Sequence, residues 1–575
     1  MKNLLLTSVS VAALFVAGPA FAQNNQSTVT QGGNANQAGV TQSGSNGKSD
    51  INQSGDTNIG SVNQSGNLNE AEIDQTGNRN EARVLFQMGS QNKSKIDQAG
   101  NNSFAQSDQR GTNGTSTISQ GAEGADRAVV FQTGNSADST VTQTGRDNNA
   151  DVHQTGDSTS TISQSGTGPE VGGGQLAFVR QNGDGNVSDV IQTGQGNDVG
   201  STIYGVDQVG DDNRSAVTQS AVGSVTDGGA NAFVAQTGDR NESDITQSGA
   251  GATGNLTQNG DDNRSAITQS ATGATANVTQ NNDDNRSTVG QSGGAHTATV
   301  NQTKSDDGFD FVDNGSNRST VTQSGVGAAS ATVNQNGALN VSTISQSAAA
   351  AATVGQTGIF NMSSVTQTAD GASATVSQTG SPASGGPGTA QGDNRSNITQ
   401  NGDSTAMVTQ LANNPTDGFP SNDSTVNQSG DDSMATVAQT GDNNKSTVTQ
   451  GDDSLAFVEQ IGDANFSRIA QSGGLSDADV SQLGDSGRSE IDQGAGMGNE
   501  ADVDQTDSST FADSSIIQTG LDNTARVTQG GFDNESDITQ SGNLNTATVT
   551  QSTDSNISTV NQSGNGNTAT VTQGM

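Results

Sequence analysis

Residues that could carry acid–base or metal chemistry are few in this chain, and their spacing forms no catalytic constellation. His153 and His296 lie on different segments without a geometric partner, so we expect both side chains to be solvated. Paired aspartates such as Asp283-Asp284 offer the oxygen ligands that Ca²⁺ prefers, but they do not follow the nonapeptide spacing of calcium β-rolls. Charges at turns also limit unwanted association, which is the simpler interpretation. With no Cys in the chain, the sequence predicts no enzyme, no cofactor and no metal centre.

The chemistry that the chain does repeat is hydrogen bonding by side-chain amides. Glutamines recur at intervals of 11 residues, with asparagines at the same interval, in about 46 units that cover nearly all of the chain. When identical units stack, each amide can donate to one neighbour and accept from the other, so a buried amide remains satisfied. The ladder residues that this predicts near the C-terminal end are Gln529, Gln540, Gln551, Gln562, Gln573, Asn545, Asn556 and Asn567.

The elements that position these amides are predicted to be β-strands. Within one unit, Ala547, Val549 and Gln551 are two residues apart, which places them on one face of a strand while the threonines between them face the other way. This constant face is expected to point inward, with Val560 and Val571 in the equivalent apolar places. A glycine two residues past the glutamine supplies a turn. The sequence therefore predicts an all-β fold, a β-solenoid or cross-β stack of 11-residue strand–turn units with two strands per rung.

The composition excludes a conventional core and several classes of partner. Hydrophobic residues make up only 28% of the 575 residues, which is typical of a disordered chain or of a polar repeat fold. The regular repeat favours the polar repeat fold. The formal net charge of -39, with the basic residues scattered, argues against nucleic acid and anionic membrane surfaces as partners. No stretch after the N-terminal segment reaches the roughly 18 apolar residues of a spanning helix, so no membrane insertion is expected.

Residues 1–22 have the layout of a secretory signal peptide. A basic residue precedes a short apolar stretch, and Ala20 and Ala22 form a small-residue cleavage motif before Gln23. We therefore expect secretion, with one repeat array covering residues 23–575. Four interruptions are interpreted as loops inserted at turns, because the prolines in several of them cannot donate to a β-ladder. These interruptions lie near residues 165–176, 303–314, 381–392 and 411–424.

The most regular units carry a signature that is known from one protein family. The spacing Q-x-G-x-G-N-x-A-x3-Q is met by Gln562, Gly564, Gly566, Asn567, Ala569 and Gln573. It is met with Ser188 in the place of the alanine by Gln181, Gly183, Gly185, Asn186 and Gln192. This pattern resembles the curlin repeat family, the subunits of curli fibres, whose repeat runs S-x5-Q-x-G-x-G-N-x-A-x3-Q. Here the opening Ser is usually Asn, so the two half-repeats look alike, and the second Gly is usually Asp or Asn.

The resemblance implies a structural subunit of an extracellular, pilus-like amyloid fibre that acts in cell adhesion and in the biofilm matrix. It also implies export through an outer-membrane channel, self-association by templated strand addition, and other curli-type subunits as partners. The alternative is a soluble ice-binding or adhesin β-solenoid, in which outward pairs such as Thr320 and Thr322 would form a flat array. Charges among the outward residues, at Asp244 and Arg264 for example, disfavour the ice-binding form. A β-helix enzyme would need a local acid–base cluster that the sequence lacks.

Overall fold

The protein is described by a computed structural model over eight ranges of its chain. These are residues 24–121, 124–166, 175–199, 205–221, 229–303, 316–380, 394–412 and 422–574. The predicted signal peptide with Ala20, Ala22 and Gln23, and most of the four predicted insertions, lie outside these ranges. Within them the regular structure is entirely β-strand, and no helix has the length and apolarity needed to span a bilayer.

The chain divides into two compact units. The first comprises the residues up to Arg146 together with Ala150–Thr159, and the second comprises Asp147–Asn149 together with Ser160 onwards. The strands of the first unit, in its described residues, are β1 (Gln26–Gly32), β2 (Gln37–Ser45), β3 (Lys48–Ser54), β4 (Ile59–Asn67), β5 (Glu70–Gln75), β6 (Glu81–Gln87), β7 (Lys93–Gln98), β8 (Phe104–Gln109), β9 (Thr115–Gln120), β10 (Arg127–Gln132), β11 (Asp138–Gln143) and β12 (Asn149–Thr155).

In the first unit, strands two apart in sequence pair in parallel and in register. The odd-numbered strands form one sheet, called sheet A, and the even-numbered strands form the facing sheet, called sheet B. Each ladder glutamine therefore lies beside the next one in its own sheet, as Gln31 lies beside Gln53 in the pairing of β1 with β3. One rung consists of two strands and two turns.

The second unit repeats this arrangement over more rungs. Its strands through residue 303, in the described residues, are β13 (Thr159–Gln164), β14 (Leu176–Asn182), β15 (Val187–Gln192), β16 (Asp198–Val199), β17 (Val206–Val209), β18 (Arg214–Gln219), β19 (Asn231–Thr237), β20 (Glu242–Gln247), β21 (Thr253–Asn259), β22 (Arg264–Gln269), β23 (Thr275–Asn281), β24 (Arg286–Gln291) and β25 (Thr297–Thr303). β16 and β17 share one rung, because β16 pairs with the start of β14 and β17 with its end.

The remaining strands of the second unit are again short and evenly spaced. They are β26 (Arg318–Gln323), β27 (Ser330–Ala338), β28 (Val341–Gln346), β29 (Ala351–Ile359), β30 (Met362–Gln367), β31 (Ser373–Thr379), β32 (Arg395–Gln400), β33 (Thr405–Leu411), β34 (Asp423–Gln428), β35 (Met434–Thr440), β36 (Lys445–Gln450), β37 (Leu455–Ile461), β38 (Phe466–Gln471), β39 (Asp477–Gln482), β40 (Arg488–Gln493), β41 (Glu500–Gln505), β42 (Asp513–Thr519), β43 (Thr524–Gln529), β44 (Glu535–Ser541), β45 (Thr546–Gln551), β46 (Ile557–Ser563) and β47 (Thr568–Gln573).

Sheet A of the second unit holds β13, β15, β18 and the even-numbered strands from β20 to β46. Sheet B holds β14, β16, β17, β19 and the odd-numbered strands from β21 to β47. The predicted all-β solenoid with two strands per rung is confirmed.

The alternation of side chains within each strand explains why a chain so poor in apolar residues folds. In β45, Ala547, Val549 and Gln551 are buried, whereas the threonines between them are exposed or half-exposed. The outward residues add little, since their cross-rung ion pairs, such as Lys48 with Glu70 at 3.0 Å, are exposed to solvent. The core is therefore a narrow two-sheet interior filled by one β-branched side chain, one small side chain and one amide per strand.

The turns depend on a glycine at a fixed place. Gly542 has φ of 112°, and a Cβ atom added to it would lie 2.1 Å from the carbonyl oxygen of Gly564 in the next rung. Only glycine accepts both this left-handed conformation and so close an approach of the neighbouring backbone. A turn in this conformation thus requires glycine two residues past its ladder glutamine, whereas Ala271, Ala348 and Thr553 hold that place in other rungs.

Insertions in the repeat leave the stacking of the flanking rungs intact. β24 and β26 pair in register across residues 304–315, which places Arg286 beside Arg318. The Nε2 of Gln291 donates to Oε1 of Gln323 across the same gap, at 2.8 Å. The solenoid therefore continues in phase past the interruption.

Candidate functional site

The glutamine ladder is the most continuous polar feature of the interior. In sheet A, Gln540 accepts from the amide of Gln518 at 2.9 Å and donates to Oε1 of Gln562 at 2.8 Å. In sheet B, Gln551 accepts from Gln529 at 3.0 Å and donates to Gln573 at 2.8 Å. Each bond joins residues one full rung apart, so the five predicted glutamines belong to two separate ladders.

Each ladder glutamine also bridges the two sheets. The Nε2 of Gln540 donates a second hydrogen bond to the backbone carbonyl of Thr524, the first residue of β43 in the opposite sheet, at 3.0 Å. Gln562 makes the same bond to Thr546 at 2.9 Å. A buried primary amide has two N–H donors and one carbonyl acceptor. The rung above, the rung below and the facing sheet satisfy all three groups.

The ladder is unbroken where the structure describes consecutive rungs within a unit. In the first unit it runs from Gln31 to Gln143 in sheet A and from Gln42 to Gln154 in sheet B. In the second unit it reaches Gln573 through rungs that differ widely in their outward residues. Because the inward amides are constant and the outward residues are not, register is set by the core.

An asparagine ladder at the turns runs in the opposite direction. The backbone N–H of Asn567 and its Nδ2 both donate to Oδ1 of Asn545, at 3.0 and 2.9 Å. At the other turn, Asn556 bonds in the same way to Asn534. Glutamine amides thus donate toward the C-terminal rung, whereas each asparagine Oδ1 accepts from that rung. The asparagine Nδ2 also donates to a glycine carbonyl of the C-terminal rung, as Asn545 does to Gly564 at 2.8 Å.

His296 takes the place of a ladder asparagine, and the prediction that it is solvated is wrong. The side chain is fully buried, and its Nδ1 accepts the backbone N–H of Ala329 in the next rung at 3.1 Å. Its Nε2 lies 2.9 Å from the carbonyl oxygen of Ser292. The imidazole ring therefore reproduces the acceptor of an asparagine. His153, by contrast, is partly exposed on the outward face, 3.2 Å from Asp151 and beside the ring of Phe131.

The two half-repeats are not alike, which corrects the sequence interpretation. Two residues after the turn asparagine, the inward side chain is serine in every described strand of sheet A except β5. In sheet B the same place holds alanine or, in β4 and β21, glycine; only β16 has valine. The β-branched place differs too, since the fully buried isoleucines, such as Ile51 and Ile469, lie in sheet A. A 22-residue alternation of Ser and Ala, visible in the sequence, was the signal for this difference.

Close packing explains why sheet B uses the smaller residue. A Cβ atom added to Gly60 would lie 3.0 Å from Cγ2 of Ile51 and 3.1 Å from Nε2 of Gln53. At Gly254, the corresponding distances to Ile245 and Gln247 are both 3.2 Å. A methyl group thus fills this contact, and a further oxygen would displace an isoleucine or a ladder amide.

The serines of sheet A form a column of buried hydroxyl groups. Ser265 and Ser287 bond to each other at 2.8 Å between rungs. Many others, among them Ser467, are buried without a hydrogen-bond partner within the described protein. Rungs repeat at about 4.8 Å, which is longer than a hydrogen bond, so neighbouring hydroxyls bond only when their rotamers differ. The column therefore satisfies its hydroxyls in part.

The predicted core valines occupy the equivalent place in successive strands. Val549 is fully buried and Val560 is 6% exposed, whereas Val571 in the outermost described strand, β47, is partly exposed. Asn545 is buried and Asn556 and Asn567 are more open. Burial falls over the last rung because no described rung covers its outer side.

The paired aspartates act as caps of the turns. The carboxylate of Asp283 accepts the backbone N–H of Asp261 in the preceding rung at 2.7 Å, and Asp261 does the same for Asp239 at 2.8 Å. The second residue of the pair, for example Asp262, has φ of 58°. No group of acidic or histidine side chains within the described ranges has the arrangement of a metal site. The stacking of turns thus explains why Asp or Asn stands where the curlin repeat has its second glycine.

Comparison with known proteins agrees with this geometry. Four segments match the family model described as Curlin associated repeat, namely residues 420–450, 451–484, 520–552 and 542–574. They lie on rungs from β34 to β47. No curated protein sequence matches the chain. The family is structural and non-enzymatic. These matches fall on solenoid rungs, so the C-terminal part of the solenoid, over residues 420–484 and 520–574, is built from curlin-associated repeats.

Proposed function

We propose that this protein is a structural subunit of an extracellular, curli-like amyloid fibre that grows by templated strand addition. The observation that supports it is the equivalence of the rungs. Each strand pairs with the next strand of its sheet in parallel and in register, as Val549 pairs with Val571. A rung from a second copy could replace the next rung of the same chain without changing the pattern of bonds.

The polarity of the ladders supports head-to-tail addition. A rung at one end of such a stack offers glutamine N–H donors and asparagine oxygens, and a rung at the other end offers the reverse. These two sets of groups are complementary. A copy that adds in the same orientation therefore pairs both ladders, whereas an inverted copy would place donors against donors.

The charge of the chain determines the conditions for growth. A formal net charge of -39 makes copies repel each other at low ionic strength. The solenoid interior carries no part of this repulsion, because its ladder residues are neutral. Salt or mild acid should therefore accelerate growth without changing the core.

The same proposal covers location and role. Residues 1–22 would direct secretion, with cleavage after Ala22 and before Gln23. The secreted chain would pass an outer-membrane channel, join other curli-type subunits at the cell surface, and contribute to adhesion and to the biofilm matrix. These roles follow from the association of curlin repeats with extracellular curli fibres.

Seeded growth of the purified chain from residue 23 onwards tests the proposal. We expect fibres after a lag that preformed fibres remove, and faster growth as salt is raised. Gln562→Ala should slow growth, because it leaves Gln540 without its acceptor, while Thr559→Ala on the outward face is the matched control. A chain that stays monomeric at high concentration with seeds and salt would contradict the proposal and favour a soluble solenoid.

A further inference from the structure

One outward face of the second unit carries a concentrated apolar patch. It lies on β33, β35 and β37 of sheet B, where most neighbouring rungs present Thr, Ser or Asn. Its side chains are each 39–49% exposed, and they are Met407, Leu411, Met434, Leu455, Phe457 and Ile461. Strand pairing places Met434 directly beside Leu455, whereas Thr436 lies between Met407 and Phe457 and Thr440 between Leu411 and Ile461. Glu459 faces outward on β37 between Phe457 and Ile461. Exposed apolar patches of this kind mark interaction surfaces.

A row of carboxylates adjoins the patch on the next two strands. In the pairing of β37 with β39, Leu455 lies beside Asp477 and Phe457 beside Asp479. On β41, Glu500 and Asp502 continue both rows. Asp502 pairs with Arg526 on β43 at 2.9 Å, and no ion pair joins the other three within the described residues. Burial and the neighbouring Asp502 raise the pKa of both Asp477 and Asp479, which a cationic partner would reverse.

We propose that this face binds a segment of another protein in which apolar side chains are followed by lysine or arginine. The two halves of the segment must adjoin each other, since the apolar rungs and the acidic rungs follow one another along the stack. Five rungs span about 19 Å at the spacing of a β-sheet, which an extended segment of roughly six residues would cover. Charge complementarity selects a basic partner over an acidic one. The inference does not depend on fibre formation, because the face is lateral.

The neighbouring rungs themselves supply a conservative variant. Thr405, Thr436 and Thr440 occupy the places of Leu455, Phe457 and Ile461 in other strands of the same face. A triple variant with Leu455→Thr, Phe457→Thr and Ile461→Thr therefore keeps a side chain that this sheet already accommodates. A second variant, Asp477→Asn with Asp479→Asn, removes charge and leaves the apolar patch in place. Controls on sheet A are Ile557→Thr and Asp537→Asn.

The probe is a fluorescent synthetic peptide with a Leu/Phe half and a Lys/Arg half. A peptide of identical composition with apolar and basic residues alternating controls for attraction to the acidic chain as a whole. We expect the two-half peptide to bind the full chain at least about tenfold more tightly than the alternating peptide, measured by anisotropy. Each patch variant should remove that difference, and the two sheet A controls should keep it.

Three results would overturn the proposal. Equal binding of the two peptides would show attraction without a defined surface. Retention of the difference by both patch variants would place the site elsewhere. The third result has two parts: the wild-type chain binds no peptide, and it associates laterally in a way that the triple variant abolishes. That result would show that the occupant of the face is a second copy of this chain. Circular dichroism and thermal unfolding of each variant confirm that the solenoid is intact.

Discussion

Sheets A and B carry the same glutamine ladder but fill the space between them differently. Sheet B presents a methyl group or a hydrogen toward the isoleucines of sheet A, and a Cβ atom placed at Gly60 or Gly254 would already lie 3.0–3.2 Å from an isoleucine and a ladder amide. Sheet A presents serine, whose hydroxyl in many rungs has no partner within the described protein, as at Ser467. The shared amide sets the repeat length and the register. The small residue sets the volume between the sheets and gives each sheet its own identity.

The largest loss of stability is expected from removing a ladder glutamine, the residue that the two sheets share. Gln540→Ala in sheet A and Gln529→Ala in sheet B each remove one ladder acceptor, one ladder donor and one bond to the facing sheet. Leaving such buried groups unpaired costs about 1–3 kcal/mol each, so we expect a loss of about 3 kcal/mol or more in either sheet. Amide hydrogen exchange of the adjoining strands measures it. A much smaller loss in one sheet would mean that its ladder does not hold the core.

Exchanging Ser and Ala at the small inward place should change the stability of the protein differently in the two sheets. Ala478→Ser in sheet B adds an oxygen to the close-packed place and should cost about 1–3 kcal/mol. Ser467→Ala in sheet A removes an unpaired hydroxyl and should be neutral or stabilising by up to about 1 kcal/mol. Both changes lie on consecutive strands, so thermal unfolding of the two variants under one condition compares them directly. Equal destabilisation would show that the Ser and Ala columns are interchangeable.

A smaller, pH-dependent difference is expected on the outward face of sheet B. Burial raises the pKa of Asp198 to about 6, and only a backbone N–H from Leu176 opposes the shift. Because the folded chain holds this proton more tightly than the unfolded chain, stability should fall as the pH rises from about 4 to about 6 and stay low above that. Asp198→Asn should therefore stabilise the second unit at neutral pH by roughly 1–2 kcal/mol, allowing for its partial exposure. Denaturant unfolding at pH 4 and pH 7 measures the effect, and an identical gain at both would reject it.

Much of this architecture can be predicted from the sequence, for a physical reason. The two-residue spacing from Ala547 to Gln551 defines a strand face, and its recurrence defines a stack. The identities of the sheets were missed because Ser and Ala were treated as equivalent small residues. The burial of His296 was missed because only its phase in the repeat reveals that it replaces an asparagine. The patch around Phe457 has no period at all, since it joins outward residues that become neighbours only through strand pairing.

The central claim, that stacked side-chain amides hold the core, can be tested by hydrogen exchange of the glutamine side chains. In a chain labelled with ¹⁵N-glutamine, the ladder amides such as Gln540 and Gln551 should exchange as slowly as the backbone amides of their strands. Gln37, which is exposed on the outward face of β2, provides the fast reference. Protection of the ladder amides in the soluble chain, and in fibres if they form, is the predicted result. Exchange of Gln540 and Gln551 at the rate of Gln37 would contradict the account.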